Sequence, residues 1–202
     1  MKYASRCAGL VLALIPLFTI AGALAAAENE LPENFQANVM VVTGQPGGPR
    51  SNLLQIRIRE WTTDEERGQL LTEIQESTTQ GARNRNRAVA QALRGGSTIG
   101  SINLRATTSW PLRFSRQYPL ENGGRRILLA TDRPVTFQEE FTSSVARDFD
   151  VTVIELMLDK DGQGEGTLSV GTEVTWNPQT EKLEVTNFST QATRLTNVRP
   201  RP

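Results

Sequence analysis

The sequence predicts a mainly β domain of α+β class: an antiparallel meander forming a sandwich or barrel, with a two-helix insertion after the second strand. Three observations carry this. After Gly96, apolar and β-branched runs recur at roughly 8–12-residue spacing with turn residues between them, as in antiparallel sandwiches and barrels. Leu54, Ile56 and Ile58 alternate with Gln55, Arg57 and Arg59, giving one strand a core face and a wet face. Between these regions, from Thr62 to Gly96, the period changes to that of helices.

The elements follow in order. Residues 28–34 read as a flexible leader and Phe35 to Val42 as the first strand. Gly44-Gln45-Pro46-Gly47-Gly48-Pro49 has no GK[ST] ending and no helix start after it. It is therefore a strand connection and not a phosphate cradle. Asn52 to Trp61 is the second strand. Thr62-Thr63-Asp64-Glu65-Glu66 is an N-cap and capping-box signature, with acids where a helix N-terminus favours them. With Leu70, Leu71 and Ile74 as an apolar stripe, it predicts a helix over 63–76. A second, weaker helix runs from Arg83 to Leu93, buries Val89, Ala90 and Leu93, and stops at Gly95-Gly96.

Strands follow. Thr98 to Leu104 is short. Ser109 to Tyr118 carries Trp110, Leu112 and Phe114 on one side and Arg113 on the other. Glu121-Asn122-Gly123-Gly124 turns the chain into Arg125 to Thr131. Val135 to Phe141 is extended, and Thr142 to Arg147 is a polar loop. Val151 to Leu158 is apolar on nearly both faces, which suits a central strand. Asp161 to Gly164 turns the chain into a strand over Gly166 to Trp176. Asn177 to Thr180 turns it into Lys182 to Phe188, and Thr193 to Val198 is the last strand. Residues 35–202 read as a single domain.

Composition bounds the chemistry. The chain has 202 residues, 22 Lys+Arg against 22 Asp+Glu, one Cys and no His. A Ser-His-Asp triad, a Cys-His pair and a His-bearing zinc site are thereby excluded. Lys2 and Arg6, the apolar run from Cys7 to Leu24 and the small residues Ala23 to Ala27 form a signal peptide over residues 1–27, cut before Glu28 or before Ala26. The competing reading is an uncleaved anchor, but Pro16 and Gly22 interrupt the run. Cleavage removes two cations and the only cysteine, leaving Lys160 and Lys182 as the only lysines. The expectation is an exported protein, periplasmic or extracellular, with no membrane span once the signal is cut. A neutral, arginine-rich surface suits ion-pair networks or anionic glycans. It does not suit nucleic acid, which calls for net positive charge.

Few residues stand out as candidates. Glu155 shares a strand face with Val151, Val153 and Met157. There it is either a general acid or ligand anchor, or the partner of an arginine. A carboxylate hydrolase acting on glycans would need a second acid across a cleft of about 5–10 Å, and Asp132 is the one in a comparable setting. Arg57, Arg59, Arg113 and Arg116, with Trp110 and Tyr118, could form a stacking and ion-pairing surface for an acidic glycan or an envelope protein. The alternative is a solvated sheet face with cross-strand salt bridges. Asp159 to Glu165 opens like an EF-hand loop, but Gln163 and Val170 break the ligand pattern and strands flank it. It reads as a hairpin without metal. No cofactor is expected. Asn187-Phe188-Ser189 is an N-glycosylation sequon, relevant only in a eukaryotic secretory pathway.

The stretches Gly123 to Ile127, Leu129 to Pro134, Thr152 to Leu156 and Gly164 to Gly166 resemble a family of secreted bacterial β-rich proteins to which no activity is assigned. The resemblance implies export and one coherent domain, and carries over no site residue. The function expected is a non-enzymatic binding or scaffolding module of the bacterial envelope, with the Glu155–Asp132 hydrolase as the alternative.

Overall fold

The structure is a computed structural model that describes residues 31–41, 50–77, 82–104, 108–135, 151–170, 172–177, 182–187 and 193–201. Eight strands form two antiparallel meanders. The first contains β1 (Glu33–Val41), β2 (Arg50–Ile58), β3 (Gly100–Leu104) and β4 (Thr108–Leu112). The second contains β5 (Phe114–Pro119), β6 (Arg125–Thr131), β7 (Thr152–Leu158) and β8 (Gly164–Val170). The last strand, β11 (Thr193–Pro200), lies between β8 and β1 and joins the meanders into one nine-stranded, nearly closed, barrel-like sheet. The predicted mainly β class with two helices between the second and third strands is therefore what the chain adopts.

Closure happens at Arg113. It is the single residue between β4 and β5, which are the two outer strands of the sheet, and its N–H donates to Ala130 O on β6 at 2.9 Å. The chain thus crosses from pairing with β3 to pairing with β6 without a loop. This crossing corrects the expected single strand from Ser109 to Tyr118. Trp110 and Leu112 point into the barrel, whereas Phe114 belongs to a second cluster outside it. One residue is used at the bend, so the alternation slips by one and Phe114 emerges on the opposite face. Pro111 fits β4 because an outermost strand tolerates a missing donor. The segment after β2 then straps β5: Thr62 N–H donates to Ser115 O, and Ser115 donates from its N–H to Thr62 Oγ1 and from its hydroxyl to Glu60 O.

The interior is filled, not hollow. Phe35, Leu54, Ile56, Ile58, Ile102, Leu112, Ile127, Leu129, Ile154, Leu156 and Leu158 are among its fully buried or nearly fully buried side chains. They occupy alternate strand positions, as a small barrel requires. One end holds Glu33, which accepts from the Arg125 guanidinium. Arg125 also donates to Gln117 Oε1 at 3.0 Å and lies over the Phe35 ring. Thr131 also points inward, wholly buried, and its hydroxyl finds no hydrogen-bond partner among the described residues. An unpartnered buried hydroxyl is destabilising. Thr131→Val should therefore raise the unfolding free energy by about 1 kcal/mol in urea titrations. A loss of that size would show that the hydroxyl is bonded after all.

The helices α1 (Asp64–Ser77) and α2 (Ala82–Gly95) cover one outer end of the second meander. The capping box forms as read: Thr63 N–H and hydroxyl both donate to Glu66 Oε2 at 2.9 Å, and Glu66 N–H donates back to Thr63 Oγ1. Ile74, Val89, Ala90 and Leu93 pack on Phe114, Leu128, Ala130, Val151 and Val153. These sheet residues explain why β7 reads as apolar on nearly both faces and why β6 carries the unbroken run Ile127-Leu128-Leu129-Ala130: one side lines the barrel and the other lies under helices. The expected strand over Gly166 to Trp176 divides in two. Its second half, β9 (Thr172–Asn177), leaves the barrel sheet, pairs with β10 (Lys182–Asn187) and contacts both helices. The signal segment, the expected strand from Val135 to Phe141 beyond its first residue, and the loop from Thr142 to Arg147 lie outside the described residues.

Two hairpin turns use glycine at positive φ, Gly123 at 79° and Gly162 at 75°, where a side chain would be strained. In the second, the Asp159 carboxylate accepts from the N–H groups of Asp161 and Gln163, at 2.9 and 2.8 Å. The acid that opens the calcium-like run is thus a turn staple.

Candidate functional site

The two sequence-nominated acids occupy different places. Asp132 follows β6 at the seam with a fully buried side chain. Its carboxylate accepts from Arg94 Nε of α2 at 2.9 Å and from Arg113 Nε at 3.2 Å. Burial by itself would raise its pKa. The hydrogen bonds from Arg94 and Arg113, with the Arg113 charge, outweigh that and hold the carboxyl below its ordinary range. Glu155 does share a face with Val151, Val153 and Met157, but that face is the outside of the barrel. Val151 and Val153 lie under the helices, while Glu155 is half-buried and ion-paired with Arg126. Arg126 also stacks on Tyr118, 5.8 Å from the ring centre. Thr131 pairs with Thr152 across β6 and β7. Asp132 therefore sits about four residues, roughly 13 Å, from Glu155 along the strands. The structure does not bring the two acids together.

The nominated arginine–aromatic surface is dispersed as well. Trp110 is in the barrel core. Arg113 holds Asp132 and donates from Nη1 to Thr98 Oγ1 and Gly96 O. Arg116 binds the start of α1, through Asp64 Oδ1 at 2.6 Å and Thr62 O at 3.2 Å. Tyr118 lies with Arg126. Arg57 lies on the outer face of β2, and Arg59, the first residue past that strand, donates to Thr98 O at 2.7 Å. Arg57 and Arg59 remain exposed with no carboxylate partner among the described residues, and of the two Arg59 is taken up by the Thr98 carbonyl.

Around Arg57 the register assembles a polar groove. Arg57 pairs with Asn34 of β1 on one side and with Ser101 of β3 on the other. Arg201 N–H donates to Asn34 O at 2.8 Å and extends that row past β11. One step along, Arg199, Gln36, Gln55 and Asn103 form the adjacent row. Asn34, Gln55, Arg57, Ser101, Asn103 and Arg201 line a groove of about 370 Å³ together with Phe35 and Ile56, whose side chains belong to the barrel core on the other face. No outward position of these two rows carries an acid or an aromatic ring.

Such a site offers guanidinium forks for anions and amides that both donate and accept. The sequence marks only Arg57 of this set. Its partners come from positions 34, 55, 101, 103 and 201, and the signal that could find them is faint: outward strand positions filled by amides where acids would be ordinary. Among the described residues no group of three His, Cys, Asp or Glu side chains is placed to hold a metal. No helix there is long and apolar enough to cross a membrane. Compared with known proteins, the chain matches no family model, no curated protein and no solved structure.

Proposed function

We propose that the chain is a non-enzymatic binding module exported to the bacterial envelope, with the Arg57 groove as its ligand contact. The observation that carries this reading is the location of unspent polar capacity. The barrel interior is packed with side chains, and Asp132 and Glu155 are each taken up by arginines. Arg57, by contrast, faces solvent beside amides and a hydroxyl, with no carboxylate on it among the described residues. Export rests on the basic, apolar and small-residue segments of residues 1–27.

An anionic ligand fits this face better than an apolar docking surface does, because Leu53 is the one large exposed hydrophobic side chain on its strands among the described residues. The test is an NMR titration with a panel of carboxylated, sulfated and phosphorylated oligomers. The expected result is amide shifts at Gln55, Arg57, Ser101 and Asn103 with no turnover of the ligand. Shifts confined to the surroundings of Glu155 and Asp132 would move the site elsewhere and end this reading.

A further inference from the structure

We infer that the groove takes a polymer bearing recurrent carboxylates, a uronic-acid polysaccharide, bound across the strands from Arg57 to Arg201; this rests on the binding-module reading above. The geometry separates ligand classes. Arg57 and Arg201 are on one cross-strand row with Asn34 between them. Two strand spacings of about 4.8 Å put their backbones roughly 10 Å apart. A monomeric acid has one carboxylate to share between two forks. A chain of uronic-acid units, each bearing a carboxylate and hydroxyls, sets a separate carboxylate on each fork, with its hydroxyls over Asn34 and Ser101.

Nucleic acid is disfavoured by charge density and by chemistry. Duplex DNA carries one charge per about 1.7 Å of axis, far denser than these two cations, and single strands bind through aromatic platforms, which the two rows lack. A protein interface gathers aromatic anchors at its centre, and no outward position of these two rows carries an aromatic ring. A planar fork on a carboxylate, flanked by amides on hydroxyls, is the pairing the row supplies.

The experiment is calorimetric and NMR titration of the protein with oligogalacturonate and with its methyl ester, which removes the charge and keeps the hydroxyls. The charged oligomer is expected to shift the Arg57 and Ser101 amides. Esterification, or Arg57→Gln, should each weaken binding by about tenfold or more, the effect of losing a charge-assisted pair. Thermal unfolding of Arg57→Gln should match wild type, so that loss of binding is not loss of fold. Equal binding of acid and ester would overturn the carboxylate assignment while leaving a groove that binds. No groove shift with either oligomer would overturn the inference outright. A sulfated or phosphorylated oligomer that still shifts the groove would then preserve the broader reading.

Discussion

Replacing Asp132 by Asn is expected to remove about 3 kcal/mol of folding stability, the scale of breaking a buried ion pair from one side. The carboxylate is sealed from solvent and is the common acceptor for Arg94 of α2 and Arg113 of the barrel seam. Its loss leaves the Arg113 guanidinium, itself mostly buried, without its counter-charge. Arg94 is more than half exposed and can turn to water, which keeps the effect at the lower end of that range. The pH dependence has a definite sign. Asp132 is held below its ordinary pKa in the fold, so its contribution is complete above the unfolded value of about 3.9. It is lost as pH falls through the lower, folded value. Urea unfolding of wild type and Asp132→Asn should therefore differ by a constant amount above about pH 5 and converge below it. A gap that stays constant down to acid pH would mean that the charge of Asp132 is not what stabilises the seam.

Phe114→Ala should remove about 3–5 kcal/mol, as for other buried aromatic truncations, and the loss should be regional. Phe114 emerges on the outer face because the chain slips its alternation at Arg113. It sits there with Ile74, Val89 and Leu93 in a cluster separate from the barrel interior. Hydrogen exchange of this variant should lose protection first in α1 and α2 while β1 and β2 hold, because the helices lose their central contact. Leu156→Ala, inside the barrel, should lower protection across the strands instead. Uniform loss in both variants would mean that the two clusters unfold as one unit.

Much of the fold was readable because local rules decided it. Leu54, Ile56 and Ile58 went to the core by alternation, Thr63 and Glu66 formed the cap, and the Gly123 and Gly162 turns fell where glycine had to be. Failures came where tertiary structure overrode local pattern. The slip at Arg113 moved Phe114 to the outer face, and the run from Gly166 to Trp176 served two sheets. The candidate site was hardly legible. Glu155 lay on the expected face, but periodicity cannot say which face is the inside when both are apolar. Asp132 found Arg94, 38 positions away, and the Arg57 groove collects residues from three strands and from Arg201 just past a fourth, whose order no local signal gives.

The most direct test of the account is to compare Arg57→Gln with Glu155→Gln in one titration with an anionic oligosaccharide, read through the amides of β2 and β3. If the outer groove is the site and the Glu155 pair is structural, Arg57→Gln abolishes the shifts and Glu155→Gln leaves them unchanged. Binding that survives Arg57→Gln and disappears with Glu155→Gln would contradict it.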